Sequence, residues 1–222
     1  MSYILNIETA TKNCSVALAK DGKTILCREI AEEGFSHAER LHVFIEEIIK
    51  EAEITFQDLS AIAVSQGPGS YTGLRIGVSA AKGLCFALEI PLIAIDTLQV
   101  LASQAKVSKG LIIPMIDARR MEVYSAIFSP NFDNKRTVQA EIITENSFQD
   151  LQETLYFVGD CAEKCKPVLT KENFIFLEEI KYPSAKEMSL LSFEKHKRND
   201  TVDVAYFEPY YLKDFMMTVS KK

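Results

Sequence analysis

The sequence predicts an α/β protein of two lobes, each built on a mixed β-sheet in the order βββαβα and flanked by helices. The first observation is that segments of apolar alternation rich in β-branched residues are interleaved with segments of helical periodicity. The second is that both halves begin alike, with a strand closed by an acid, a turn and another strand; the two acids are Glu8 and Asp117. An internal duplication explains this likeness, and so does a strand–turn–strand pattern shared by two unrelated α/β units.

The first lobe is predicted to cover residues 1–98. Its first helix, at residues 36–52, begins at a capping box formed by Ser36 and Glu39 and continues with apolar residues at helical spacing. A second helix, at residues 72–88, follows a glycine-rich turn. The predicted strands are residues 4–7, 15–19, 24–30, 61–65 and 92–95.

The second lobe is predicted to cover residues 99–222, and we expect its extreme C-terminus to pack back on the first lobe. Residues 164–183 show no clear pattern. The predicted strands are residues 111–116, 122–128, 137–144 and 155–159, and the predicted helices are a weak one at 146–154 and another at 184–197.

Charge and cysteine content narrow the function classes. The 222-residue chain has 25 Lys and Arg against 31 Asp and Glu, a net charge of −6. Because affinity for nucleic acid comes mainly from neutralising phosphates, the chain is not expected to bind RNA or DNA unaided. Its N-terminus resembles a strand rather than a signal peptide, and no segment is apolar enough to span a membrane. Its five cysteines, an odd number, are expected to be free thiols in a reducing cytoplasm.

The strongest local motif is the glycine block at residues 66–77, QGPGSYTGLRIG. It lies between a strand and a helix, where backbone N–H groups could hold an anion. Its glycine spacing fits neither a Walker A motif nor a dinucleotide fingerprint, and Leu74 and Arg75 stand where Walker A requires Lys and Ser or Thr. We favour a tight turn that lets the helix pack closely.

The helix that follows carries more apolar surface than one core requires. At 100° per residue its apolar and glycine positions span about 220°, roughly twice the usual stripe. Burial between two elements of the same chain explains this width; a partner interface explains it too, and we favour the partner. The residues predicted for that interface are Leu41, Phe44, Ile48, Gly73, Ile76, Gly77, Ala80 and Gly83.

The acids at the strand ends are the candidates for chemistry. In an actin- or hexokinase-type fold, acids at these places lead glycine-containing hairpins that hold phosphate, but neither Glu8 nor Asp117 has a glycine in the next three positions. We therefore assign Glu8, Asp117 and Arg119 to a degraded nucleotide or phosphate site. Arg119 and Arg120 would meet phosphate or an acidic partner, or form a solvated hairpin tip.

No metal site is predicted. His37 and His42 are five residues apart, so on a helix they point about 140° away from each other. Cys161 and Cys165 could share a helix face but lack two further ligands.

Four features together resemble the TsaB family, the dimerisation subunits of the bacterial machinery that makes threonylcarbamoyladenosine in tRNA. They are the opening strand–turn–strand, the glycine block, residues 117–124 (DARRMEVY) and residues 208–213 (EPYYLK). The resemblance runs through nearly the whole chain. This sequence departs from the family pattern at Glu8, where aspartate is common, at Cys161, where glycine is frequent, and at Lys213, where arginine is usual. The His-x-x-x-His motif of the catalytic paralogue TsaD is absent.

The resemblance implies a two-lobed actin-like (ASKHA, ribonuclease H-like) fold and a non-catalytic role. Such a subunit binds and activates a TsaD-like catalytic subunit, helps recruit a TsaE-like ATPase, and forms homodimers when alone. It implies that tRNA is contacted only through the complex. ATP and metal are handled by the partner subunits, so no tightly bound cofactor is expected here. The expected location is the cytoplasm, with no membrane association.

Two enzymatic functions are the alternatives. An ASKHA-type small-molecule kinase or ATPase would use Glu8 and Asp117, and the missing hairpin glycines argue against it. A metallopeptidase would need a metal site that the spacing of the histidines does not provide.

Overall fold

The computed structural model describes residues 1–31 and 37–213. The predicted capping residue Ser36 and the extreme C-terminus lie outside these ranges. The strands are β1 (Tyr3–Glu8), β2 (Cys14–Lys20), β3 (Lys23–Ile30), β4 (Leu59–Gly67), β5 (Leu92–Asp96), β6 (Leu111–Asp117), β7 (Glu122–Phe128), β8 (Asn134–Ile142), β9 (Leu155–Val158) and β10 (Phe174–Phe176). The helices are α1 (His37–Glu51), α2 (Tyr71–Leu88), α3 (Thr97–Ala102), α4 (Ala162–Cys165) and α5 (Ala185–Lys197), with a 3₁₀ turn at Phe56–Asp58.

The strands form two five-stranded mixed sheets with the same topology, which confirms the predicted α/β architecture. The first has the order β3-β2-β1-β4-β5, and the second, read from its other edge, β8-β7-β6-β9-β10. In each sheet the first strand pairs antiparallel with the second and parallel with the fourth, which is itself parallel to the fifth. This correspondence of all five strands supports an internal duplication.

The first sheet is covered on both faces. Alternate residues of a strand point to opposite faces; Leu5 and Ile7 of β1 accordingly join a core with α1 and α2, whereas Ile4 joins a second core with α5. Helix α5 is capped at its N-terminus by Ser184, whose hydroxyl lies 3.3 Å from that of Ser15 on β2. The first sheet is thus sandwiched between α1 and α2 on one side and α5 on the other.

The predicted helix at residues 146–154 is wrong. Residues 145–150 form turns, in which the Thr144 backbone N–H donates to the Ser147 hydroxyl (3.0 Å) and the Ser147 N–H donates to the Thr144 carbonyl (3.0 Å). Short polar side chains compete in this way for the hydrogen bonds that a helix needs. Phe148 is buried in the second-lobe core with φ of 62°, a conformation incompatible with a right-handed helix. The second lobe therefore departs from the βββαβα order at this position.

The chain returns to the first lobe after the second sheet. Helix α5 packs on the first sheet, and Val202 then donates to the Leu92 carbonyl at the edge strand β5 (2.9 Å). The predicted boundary between residues 98 and 99 lies inside α3, so the division into 1–98 and 99–222 stays a prediction. We call residues 203–213 the C-terminal strap, because they run along α2.

Candidate partner-binding site

The glycine block forms a tight turn against the β1–β2 loop, as the favoured interpretation predicted. The Ser70 N–H donates to the Ala10 carbonyl and the Thr9 hydroxyl donates to the Gly73 carbonyl, both at 2.7 Å. A Cβ at Gly69 would overlap Ala10, and one at Gly73 or Gly77 would overlap Thr9. Glycine is needed at positions 69 and 73 because the backbone of the β1–β2 loop touches them, and at position 77 because the Thr9 side chain does.

Five of the eight residues predicted for the interface lie inside the fold. Leu41, Phe44 and Ile48 of α1 are buried in the core between α1, α2 and the first sheet. Gly73 and Gly77 are buried against Thr9. In this conformation none of the five presents a surface to a partner. Their apolar character and small size are explained by packing within the chain.

The other three predicted residues, Ile76, Ala80 and Gly83, line an open groove between α1 and α2. The groove has a volume of about 590 Å³. Gly83 is exposed, and a Cβ added there would meet no atom within 4 Å. The remaining lining residues are Ala38 and His42 from α1, and Arg75, Ser79 and Leu84 from α2. The groove has an apolar floor with a histidine and an arginine at its sides.

Apolar exposure continues from the groove toward the C-terminal end of α2. Phe86 is 82% exposed, and Ala87 is exposed beside it. On α1, Val43 is 41% exposed. Large apolar side chains left in water next to an apolar groove are typical of an interaction surface.

The C-terminal strap lies along α2. The two residues that hold it there, Arg75 and Lys82, were not predicted from the sequence. The Lys82 ammonium donates to the carbonyls of Ala205 (3.0 Å) and Phe207 (2.9 Å). The Arg75 guanidinium lies 4.0 Å from the Tyr71 ring centroid and donates to the Tyr211 hydroxyl at 3.1 Å. Arg75 and Lys82 are the two charged residues of a largely apolar helix. Their presence in such a helix is the sequence feature that could have identified them.

Glu8 is wholly buried at the end of β1. Its Oε1 accepts from the Ala10 N–H (2.6 Å) and its Oε2 accepts from the Ser65 hydroxyl, which lies 2.9 Å from that of Thr97. Burial raises the pKa of Glu8 from 4.5 to about 7, although the hydrogen bonds from Ser65 and Ala10 oppose the shift. Both carboxylate oxygens are thus engaged by the chain itself.

Asp117, the matching acid of the second lobe, is exposed and paired. Its carboxylate accepts from the Arg119 N–H (2.9 Å) and forms an ion pair with Lys164. Arg119 is exposed too, on the turn between β6 and β7. The three residues assigned to a degraded phosphate site therefore sit in different environments, one buried and two at the surface.

The histidines and cysteines have structural surroundings. His37 Nε2 lies 2.9 Å from the Thr11 carbonyl, while His42 is exposed in the groove. All five cysteines are free thiols, and burial raises the pKa of Cys14 to about 11 and that of Cys85 to about 12. Within residues 1–31 and 37–213, no three His, Cys, Asp or Glu side chains gather as ligands for a metal ion. Over the same residues, no helix has the length and apolar character needed to cross a membrane.

Comparison with known proteins gives matches along most of the chain. The family described as "TsaD: tRNA N6-adenosine threonylcarbamoyltransferase" matches residues 29–219. The Escherichia coli (strain K12) tRNA threonylcarbamoyladenosine biosynthesis protein TsaB is 32% identical over 222 residues, covering 95% of this chain and 94% of that protein. A tRNA N6-adenosine threonylcarbamoyltransferase of Bacillus thuringiensis is 40% identical over 109 residues, covering 42% of this chain and 32% of that enzyme.

A solved structure supports the same relationship. YeaZ from Pseudomonas aeruginosa superimposes with a TM-score of 0.83 and 25% identity, covering 96% of this chain and 100% of that one. Sequence and fold therefore agree over nearly the full length of both proteins. On these grounds the chain belongs to the TsaB family.

Proposed function

We propose that this protein is the non-catalytic subunit of a tRNA threonylcarbamoyladenosine modification complex, which binds and activates a TsaD-like catalytic subunit through the α1–α2 groove. The observation that carries the proposal is the groove itself, with its apolar floor and with Gly83 open to solvent. An exposed glycine in the middle of a helix costs about 1 kcal/mol of stability relative to alanine. No contact with the residues that the structure describes explains Gly83, and close approach of a partner helix does.

The similarity to threonylcarbamoyltransferases supports the choice of partner. This chain is 40% identical to such an enzyme over 109 residues, so the two proteins share part of a fold. Related subunits pair readily about a twofold or near-twofold axis, each presenting the same kind of surface. The same groove would accept a second copy of this chain when the catalytic subunit is missing, giving a homodimer.

The chemistry in this proposal belongs to the partners. Both oxygens of Glu8 are taken by Ala10 and Ser65, and Asp117 is paired with Lys164. These contacts argue against the alternative small-molecule kinase or ATPase. In the proposed complex, ATP and metal are bound by the catalytic subunit and a TsaE-like ATPase, which this chain helps to recruit. The complex would act in the cytoplasm.

The test is a binding titration between this chain and a purified TsaD-like subunit. Replacing Ala80 by arginine places a charged side chain on the groove floor, and we expect the dissociation constant to rise at least a hundredfold, about 3 kcal/mol. Leu190→Arg is the matched control. Leu190 is 61% exposed on α5, which covers the opposite face of the first sheet, so this variant should bind as the wild type does.

Modification of a tRNA transcript provides the functional readout. With the catalytic subunit, the ATPase and the enzyme that makes the adenylate, the rate should depend on this chain and fall with Ala80→Arg. Equal binding by Ala80→Arg and wild type would remove the groove from the proposal. A rate that does not change when this chain is omitted would remove the function.

A further inference from the structure

The turn between β6 and β7 holds two arginines in an uncommon backbone conformation. Arg119 has φ of 73° and Arg120 has φ of 52°, both in the left-handed region, and both residues are exposed. Consecutive non-glycine residues in this region are unfavourable, and such geometry persists only where its surroundings enforce it. From the sequence alone, these arginines could meet phosphate or an acidic partner, or form a solvated hairpin tip.

Lys164 on α4 holds this turn in its conformation through hydrogen bonds to its backbone. Its ammonium donates to the carbonyls of Arg120 (2.8 Å) and Glu122 (2.7 Å) and pairs with the Asp117 carboxylate. The Asp117 carboxylate also accepts from the Arg119 N–H. The ammonium of one lysine thus ties three points of the turn, which makes the tip rigid.

The neighbouring acids already have partners within the chain. Asp117 pairs with Lys164, and Glu122 pairs with Lys213 of the strap. Asp160 is half-buried and accepts from the Asp117 N–H (3.0 Å). Within the part of the chain that the structure describes, neither guanidinium of Arg119 and Arg120 has a hydrogen bond or an ion pair. Two uncompensated positive charges therefore stand on a rigid tip of a protein whose net charge is −6.

We propose that the Arg119–Arg120 turn is a phosphate-binding site that contacts the backbone of the tRNA on which the complex acts. This rests on the proposed function for the identity of the RNA. A guanidinium binds phosphate through paired N–H groups and keeps its charge at all relevant pH values. A tip rigid before binding loses little conformational freedom on contact. The chain needs no overall positive charge for this role, because the partner subunits supply the rest of the RNA surface.

The experiment measures the affinity of the assembled complex for an unmodified tRNA transcript across a range of salt concentrations. For Arg119→Ala with Arg120→Ala, we expect about a tenfold loss of affinity at moderate salt. The plot of log affinity against log salt should become less steep by about one to two, because two phosphate contacts are lost. Arg119→Lys with Arg120→Lys keeps both charges and should retain most of the salt dependence.

The control is Lys109→Ala with Arg198→Ala, which removes the same charge elsewhere. Both residues are exposed; Lys109 precedes β6 at the end away from the turn, and Arg198 follows α5. This variant should bind tRNA as the wild type does. Thermal unfolding of all variants checks that the fold is kept.

Each outcome decides between named alternatives. Unchanged affinity and slope in the double alanine variant, or an equal loss in the control, would overturn the proposal. Weaker binding to the catalytic subunit with unchanged tRNA affinity would assign the turn to an acidic protein surface instead. The proposed function is tested separately, because the Ala80→Arg titration measures binding to the catalytic subunit through the groove and not affinity for tRNA.

Discussion

The two lobes have sheets of the same topology and differ in the helices that cover them. Between the third and fourth strands the first lobe has α1, of 15 residues, and the second lobe has only turns. Between the fourth and fifth strands the first lobe has α2, of 18 residues, and the second has α4, of 4. Among the described residues, the pair of long helices that forms the groove therefore belongs to the first lobe. The two repeats have thus kept the same sheet topology, while the helices between their corresponding strands differ.

The acids that close the first strand of each sheet diverged too. Glu8 is wholly buried, its carboxylate accepts from Ala10 and from Ser65 of β4, and burial raises its pKa. Asp117 is exposed, and its carboxylate forms an ion pair with Lys164. The same position in the same topology is thus part of a buried hydrogen-bond network in one lobe and the base of an exposed turn in the other. The following predictions test this contrast, from the largest expected effect to the smallest.

Gly73→Ala should destabilise the protein by about 3 kcal/mol. The new methyl group would overlap the Thr9 carbonyl oxygen, so α2 must move away from the β1–β2 loop. Urea unfolding at neutral pH measures the loss. A variant as stable as the wild type would show that the contact between α2 and the β1–β2 loop is loose.

Glu8→Gln should stabilise the protein by about 2–3 kcal/mol at pH 8 and have little effect near pH 4.5. Because the folded pKa of about 7 exceeds the ordinary 4.5, folding takes up a proton between these values. The stability contributed by the protonated acid is complete below pH 4.5 and is lost as the pH rises through 7. Glutamine mimics the protonated acid and removes this loss. Unfolding free energies at several pH values test it; parallel curves for variant and wild type would contradict the buried, proton-binding Glu8.

Gly83→Ala should raise stability by about 1 kcal/mol, since alanine favours the helix and its methyl group meets no atom of the chain. The same methyl group should weaken binding to the catalytic subunit several-fold by blocking close approach. Thermal unfolding and the binding titration measure the two effects on one variant. Gains in both stability and affinity would mean that the partner does not approach Gly83.

Asp117→Asn should change stability by less than about 1 kcal/mol, because it weakens an ion pair that is open to solvent. The same unfolding series used for Glu8→Gln provides the measurement. A pH-dependent effect as large as that of Glu8→Gln would show that the two acids are equivalent after all. That result would remove the contrast between the lobes.

Much of the fold and part of the site could be predicted from the sequence. Strand β7 was predicted with the bounds that it has, and α1 and α2 to within one residue at each described end. The helix at residues 146–154 failed because Thr144 and Ser147 bond to the backbone locally and Phe148 is drawn into the core. The packing of α5 on the first sheet and the strap along α2 were beyond local pattern, because both depend on contacts between residues more than 100 positions apart.

By itself, the sequence determined that α2 has an apolar arc too wide for one core, because the helical period sets the angles between its residues. Only the tertiary structure decided how that arc is divided. Gly73, Gly77 and Val78 are buried within the chain, while Ala80 and Gly83 line the groove. The period gives the relative angles of the side chains but not which of them another part of the chain covers. Here the β1–β2 loop covers Gly73 and Gly77 through Thr9 and leaves Gly83 open.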